Sequence, residues 1–240
     1  MSESNVLITG ATSGIGSALV DRFILNGDYI VACGRNQEQL NILSDKVMQT
    51  CCFDITSPLA IENEAKKIGE IDVLVLNAGT CLYIDDAKNF DGETFQEVIN
   101  TNLSALGYLL ANFLPKVKAG GQVVFISSSA TIIPFPRSEA YGASKAGIDY
   151  LANSLRLDLA DHNIGVSLVH PGFIKTPLTD KNDFNMPFLL TSEEAAERIF
   201  KGVRAKKRYI HFPKRLTLLL KLFSLLPSSL WQALITRKNN

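Results

Sequence analysis

The chain has 240 residues, 46% of them hydrophobic and 20% charged, with 24 basic and 24 acidic side chains in balance. That length buries a sizeable core, and that composition excludes an intrinsically disordered chain. The four cysteines, Cys33, Cys51, Cys52 and Cys81, show neither zinc-ligand nor paired spacing, so they read as small buried side chains in a reducing compartment and no metal site is expected.

Charge is distributed unevenly. Residues 1–197 hold 13 Lys and Arg against 24 Asp and Glu, whereas residues 198–240 hold 11 Lys and Arg and no acid. The N-terminus has no basic stretch followed by a long apolar one, which predicts no signal peptide and a cytoplasmic protein.

Asn5–Thr9 (NVLIT) is a short apolar strand pattern. It runs into the turn Thr9-Gly10-Ala11-Thr12-Ser13-Gly14-Ile15-Gly16, then a helix pattern at Ala18–Leu25. Glycines in a strand–turn–helix unit let the backbone approach a ligand closely, and the following helix N-terminus offers free N–H groups to a pyrophosphate. Gly10, Thr12, Ser13, Gly14, Ile15 and Gly16 are the candidate cradle. Tyr29–Cys33 is the second strand pattern. In a doubly wound sheet its end meets the adenosine ribose, where an acid selects the 2′-hydroxyl of NAD. Cys33, Gly34 and Arg35 supply no acid, and the Arg35 guanidinium suits a 2′-phosphate, which predicts NADP(H) over NAD(H). A solvated loop arginine is the alternative for Arg35.

Gln37–Asp45 reads as a helix and Met48–Phe53 as a short strand, followed by Asp54-Ile55. Asp54 is also placed to cap a helix ahead of Pro58. Ile71–Leu76 (IDVLVL) is a central parallel strand pattern ending in Asn77-Ala78-Gly79. Phe95–Leu114 reads as one long helix carrying Asn102, with Asn100 as a near neighbour. A polar residue buried on such a helix must find partners.

Gln122–Ile126 is a strand that delivers Ser127-Ser128-Ser129. Tyr141 and Lys145, four residues apart, share a helix face. A free tyrosine, with a pKa of about 10, is a poor acid at neutral pH. A neighbouring ammonium favours the phenolate and lowers that value. The pair therefore suits proton transfer to a carbonyl oxygen or from an alcohol, with Ser128 holding the oxygen by a hydrogen bond. Alone, the Tyr-x-x-x-Lys spacing is common and equally fits a surface tyrosine beside a solvated lysine. The loop Thr131–Ser138, with two prolines and Phe135, is expected to wall the substrate pocket. A helix to Leu159 and a strand at Gly165–Val169 follow, with His170 at the strand end in a structural role. Leu178–Leu190 has no clear period and reads as a lid. Thr191-Ser192-Glu193-Glu194 is a capping-box pattern, and Arg208–Phe212 the last strand.

These motifs, in this order from Val6 to about Phe212, resemble the short-chain dehydrogenase/reductase family: Thr-Gly-x-x-x-Gly-x-Gly ending at Gly16, Asn77-Ala78-Gly79, Asn102, Ser128, Tyr141-x-x-x-Lys145 and Pro171-Gly172-Phe173-Ile174-Lys175-Thr176. The resemblance implies an α/β fold: a Rossmann-like, doubly wound, parallel seven-stranded sheet of order 3-2-1-4-5-6-7, flanked by helices in a single domain. It implies an NAD(P)-dependent oxidoreductase interconverting a carbonyl and an alcohol. Under it Asp54, with Ile55 beside it, meets the adenine, and Asn77, Ala78 and Gly79 lie below the cofactor. Asn102 orders a water that links Lys145 to solvent, and Lys145 also grips the ribose. Pro171, Ile174 and Thr176 meet the nicotinamide end. A homodimer or homotetramer is expected, with the face of helix Gly142–Leu159 as one contact.

The catalytic domain is assigned to residues 1–213 and an amphipathic helical extension to 214–240. Lys214, Thr217, Lys221 and Ser224 fall on one helical stripe, with leucines and Phe223 on the rest, and Pro227 breaks the pattern. The apolar run is shorter than the roughly 20 residues a bilayer span needs. A cationic helix with a broad apolar face and nearby Trp231 suits peripheral contact through 214–237 with the inner face of a membrane. A helical pair packed over the substrate pocket or a subunit neighbour is the competing reading. Both point to an apolar, lipid-like substrate, and the acidic body argues against nucleic acid. Two alternatives to the enzyme stand beside it: a non-catalytic NADP-binding protein recruited to membranes or partners, and a nucleotide-sugar epimerase, for whose longer substrate domain the chain has little room.

Overall fold

Near-continuous apolar runs become strands covered on both faces, because a parallel sheet carries helices on each side. The computed structural model describes residues 3–236. β1 (Asn5–Thr9), β2 (Tyr29–Gly34), β3 (Gln49–Cys52), β4 (Ile71–Leu76), β5 (Val117–Ile126), β6 (Gly165–Pro171) and β7 (Tyr209–Phe212) form one parallel sheet in the order 3-2-1-4-5-6-7. The strand order reverses between β1 and β4, so a crevice opens at their carboxyl ends.

The period-2 alternation of each strand feeds two cores. On one face Val6 and Ile8 meet Leu19 and Phe23 of α1 (Gly14–Ile24) and Ile199 and Phe200 of α7 (Ser192–Arg204). Phe23 and Phe200 pack edge to face at 5.1 Å. On the other face Leu7, Leu74 and Phe125 meet Leu109 and Phe113 of α5 (Ala105–Phe113) and Ile148 and Ala152 of α6 (Glu139–Asp158). Burying one phenylalanine fully stabilises by roughly 1.5–3 kcal/mol, so Phe23, Phe113 and Phe125 anchor both layers. α2 (Gln37–Leu43), α3 (Pro58–Ala65) and α4 (Gly92–Ile99) complete the cover, and α8 (Lys214–Phe223) and α9 (Ser228–Thr236) follow β7. The capping box forms as expected: the Thr191 hydroxyl accepts from the Glu194 amide at 3.2 Å, and the Glu194 carboxylate accepts from the Thr191 amide at 3.0 Å.

Three elements differ from the sequence reading. The long helix at 95–114 is broken: α4 and α5 are joined by a π-helical turn at Asn100–Ser104. Asn102 sits in this wider turn, buried against Thr80 and Ser144. α6 begins at Glu139, which places Tyr141 in its first turn. In α8 the middle of the polar stripe, Thr217 and Lys221, turns toward the body, while Lys214 and Ser224 stay exposed. Thr217 is buried and bonded to the Pro213 carbonyl, and Lys221 lies over the Tyr209 ring at 4.4 Å. Leu216 and Leu220 are buried beside them, and Leu218, Leu219 and Leu222 take the solvent side.

Candidate active site

The crevice is a cleft of about 710 Å³ over the carboxyl ends of the strands. That volume lies in the range of small-molecule and cofactor sites. Gly10 sits at φ +66°, where a Cβ would lie 2.9 Å from the Ala78 Cα. At Gly16 a Cβ would lie 2.0 Å from the Gly10 carbonyl oxygen, so the loop closes only on glycine. Ser13 precedes α1 in an extended conformation and makes no side-chain cap, which leaves the first N–H groups of α1 to the cleft. Thr9 and Asn77 tie the two strand ends together. The Thr9 hydroxyl accepts from the Asn77 and Ala78 amides at 3.0 and 3.1 Å, and the Asn77 side chain donates to the Thr9 carbonyl at 3.0 Å.

Arg35 and Asp54 stand at the far end, 3.9 Å apart, with the Arg35 side chain 82% exposed. The Asp54 carboxylate accepts from the Thr56 amide and hydroxyl at 2.8 and 2.7 Å. Those bonds first, and then the Arg35 charge, hold its carboxyl below the usual range. The cap of α3 is Ser57, not Asp54, so the capping alternative for Asp54 falls away.

Ser128, Tyr141 and Lys145 line the opposite wall. Lys145 is buried, donates to the Ile126 carbonyl at 3.0 Å and lies 5.7 Å from the Tyr141 ring. Burial pushes its ammonium down to about 8, against the opposing charges of Cys81 and Asp149. Burial also raises the Tyr141 phenol, with Cys81 adding to the rise and Ser128 pulling it down. The sequence reading expected Lys145 to lower the phenol; in the protein itself desolvation dominates and the phenol is raised. Asn102 lies behind the wall, 1% exposed. Its amide donates to the Thr80 carbonyl at 2.9 Å and to the Ser144 hydroxyl at 3.0 Å, while its oxygen accepts from the Thr80 amide at 2.7 Å. Ser144 in turn donates to the Tyr141 carbonyl at 2.7 Å, which fixes the first turn of α6.

Pro171, Ile174 and Thr176 line the same cleft, as do Thr12, Ile15, Ile55, Ala78 and Gly79. Gly16 lies beneath the loop and Asn102 behind the wall. Among the described residues no group of three His, Cys, Asp or Glu could hold a metal.

Asp149, Tyr83 and Arg137 were not singled out from sequence, and the partners of Ser127 and His170 were not foreseen. Ser127 donates to the Asp149 carboxylate at 2.5 Å, His170 Nε2 donates to the same carboxylate at 2.9 Å, and the Tyr209 hydroxyl donates to His170 Nδ1 at 3.0 Å. Asp149 follows Lys145 by one helical turn, a spacing that could have flagged it. Residues 178–190 form an irregular segment, clamped at its base by paired backbone bonds between Phe173–Lys175 and Leu190. The segment rests on Tyr83, which donates to Asn182 at 3.0 Å and packs edge to face with Phe184. Arg137, at φ +64°, pairs with both Asp85 and Asp183.

A glycine-lined cleft at the switch point of a doubly wound sheet, with a tyrosine and a buried lysine on its wall, defines a dinucleotide-dependent oxidoreductase. The chain matches the family described as short chain dehydrogenase over residues 4–186. It is 31% identical over 249 residues to an uncharacterized oxidoreductase of Myxococcus xanthus, covering 99% of this chain and 98% of that one. It is 33% identical over 178 residues to the NADP-dependent 3-hydroxy acid dehydrogenase YdfG of Salmonella typhi, covering 70% of this chain and 72% of that one. Among solved structures, the closed form of a serine dehydrogenase complexed with NADP+ superposes with a TM-score of 0.77 at 27% identity, covering 87% of this chain and 94% of that one. The chain belongs to the short-chain dehydrogenase family, and is an oxidoreductase that uses a nicotinamide cofactor.

Proposed function

We propose that the protein is an NADP(H)-dependent reductase or dehydrogenase that interconverts a carbonyl and an alcohol. The observation that carries this reading is one cleft lined both by the glycine cradle and by Ser128, Tyr141 and Lys145. The close backbone contacts at Gly10 and Gly16 suit a pyrophosphate, with Ser13, Gly14 and Ile15 at the helix end. Arg35 would meet a 2′-phosphate, with Asp54 and Ile55 at the base and Asn77, Ala78 and Gly79 beneath. Pro171, Ile174 and Thr176 would hold the nicotinamide end. The cofactor supplies or accepts the hydride. Tyr141 moves the proton to or from the substrate oxygen, Ser128 holds that oxygen, and Lys145 supplies the positive charge beside the phenol. Asn102 fixes the α6 turn that carries Tyr141 and supports the relay to solvent.

The Lys145 ammonium, lowered to about 8, is present below that pH and lost above it. Reductive kcat/KM is expected to fall as pH rises through this range. Asp149 props that value up, so Asp149→Asn should move the fall to lower pH while leaving the neutral rate largely intact. A profile that does not move would assign Asp149 to packing alone.

An apolar substrate is favoured by the aromatic surfaces of Phe173, Phe184 and Tyr83 under the lid. The relatives' names favour a second reading, a small 3-hydroxy acid. NADPH oxidation with ketones and aldehydes of rising chain length, set beside NADP+ reduction with serine and other 3-hydroxy acids, separates them. Rates rising with chain length support the apolar substrate; turnover confined to 3-hydroxy acids overturns it. Tyr150 and Leu157, 81% and 77% exposed on α6, suit a homodimer or homotetramer contact. We also read the outer face of α8 as a peripheral membrane contact, with a cytoplasmic location at the inner face of a membrane. Trp231 plays no part in that face: it donates to the Pro134 carbonyl at 2.9 Å and packs on Phe135. α9 thereby braces the loop at 131–138.

A further inference from the structure

α8 and the turn after it carry more leucine than they bury. Leu216, Thr217 and Leu220 are buried against the body, while Leu218, Leu222 and Leu225 are 56%, 61% and 80% exposed. Arg215, Leu218, Leu222 and Leu225 recur at helical spacing, so one outward stripe begins with a cation and continues as leucine. At the start of α8 lies a second, shallow cavity of about 390 Å³. Its apolar wall comes from the lid end, Phe188 and Leu189, and its cations are Arg198, Lys214 and Arg215. Among the described residues none of these cations has a carboxylate within ion-pair distance. Lys214 lies 2.8 Å from His211 Nε2, and Arg198 sits over the Phe212 ring.

The positive charge here is not balanced locally. Residues 198–240 contain no Asp or Glu at all. Burial, reinforced by Lys214 and Lys221, pushes His211 down to about 4, and burial first, then Lys221 and Lys207, lowers Lys214. Cations without an ion-paired carboxylate and exposed leucines therefore share one surface.

We infer that the cationic cavity and the leucine stripe of α8 dock the protein on an anionic phospholipid bilayer, with headgroup phosphates in the cavity and the leucines at the acyl boundary. This rests on the membrane reading above and gives it a place and a ligand chemistry. A second copy of the chain is a poorer occupant, because a two-fold contact would set this cationic patch against itself. An anionic surface answers the charge and the leucines together. The lid end forms part of the docked face, so the substrate pocket lies beside the bilayer.

The test is co-sedimentation of the full-length protein with vesicles of phosphatidylcholine alone and of phosphatidylcholine mixed with phosphatidylglycerol. Binding to the mixed vesicles, falling with salt, is expected. Arg198→Glu with Arg215→Glu, and separately Leu218→Ser with Leu222→Ser, should each weaken it by at least roughly tenfold. NADPH fluorescence titration of every variant reports an intact fold, and reads the cofactor site independently of docking. No vesicle binding by the unaltered protein, with its NADPH binding and turnover intact, therefore overturns the docking alone, as do variants that bind vesicles as well as the unaltered protein. Equal binding to both vesicle types overturns it, as does saturable binding of inorganic phosphate without vesicle binding. A drop in oligomeric state in the leucine variant would assign the stripe to a subunit interface and likewise overturn it.

Discussion

Tyr141→Phe is expected to lower turnover about 10³-fold while NADP(H) binding remains. The phenol is buried and its pKa is raised, so the hydroxyl keeps its proton at neutral pH and is available as an acid toward a carbonyl oxygen. The ring itself packs against Ile84, Val98 and Ala140, contacts that phenylalanine retains. The substitution therefore removes one hydroxyl and leaves the fold. Lys145, tethered to the Ile126 carbonyl, keeps its place with either side chain. Stopped-flow NADPH oxidation with a working carbonyl substrate, beside a fluorescence titration of NADPH, separates chemistry from binding. A variant with full turnover would remove Tyr141 from proton transfer. A variant that binds NADPH and turns over nothing would match the proposal.

The strands and the glycine loop were legible because their signals are local. A run such as IDVLVL at 71–76 needs only neighbouring residues to declare a doubly covered strand, and Gly10–Gly16 declare a close turn in the same way. Asn102 was legible as a buried polar residue, but its aim was not. Its aim depends on the π-helical turn, and on partners at Thr80 and Ser144 that lie 22 and 42 residues away. Asp149, Arg137 and Tyr83 were missed for the same reason: each acquires its partner only when distant strands and the lid meet. The tail shows a stronger failure. Helical spacing grouped Lys214, Thr217, Lys221 and Ser224 correctly, yet a polar stripe is assumed to face water. Here the edge strand β7 presents His211 and Tyr209, so Thr217 and Lys221 find partners there beside the buried Leu216 and Leu220, and Leu218 and Leu222 are left exposed.

Arg35→Asp is expected to weaken NADP(H) about 10²-fold and to improve NAD(H). Arg35 follows Gly34, where a Cβ would come 2.7 Å from the Thr12 methyl, so the chain leaves β2 tight against the glycine loop. That path carries the guanidinium to the cleft edge beside Asp54, where an 82% exposed side chain is free to meet a 2′-phosphate. A hydrogen bond to a charged group contributes roughly 1.5–3 kcal/mol, or about one to two factors of ten in affinity. A carboxylate in its place repels the phosphate and accepts from a ribose 2′-hydroxyl, which widens the difference. The two substitutions also test each other, because Arg35 lies at the adenosine end and Tyr141 at the reacting end of one cleft. Arg35→Asp should change KM for the cofactor with kcat on saturating NADPH nearly preserved, whereas Tyr141→Phe should change kcat alone. Unaltered NADP(H) affinity in Arg35→Asp would return Arg35 to a solvated loop residue and leave the cofactor preference to other groups at the cleft edge.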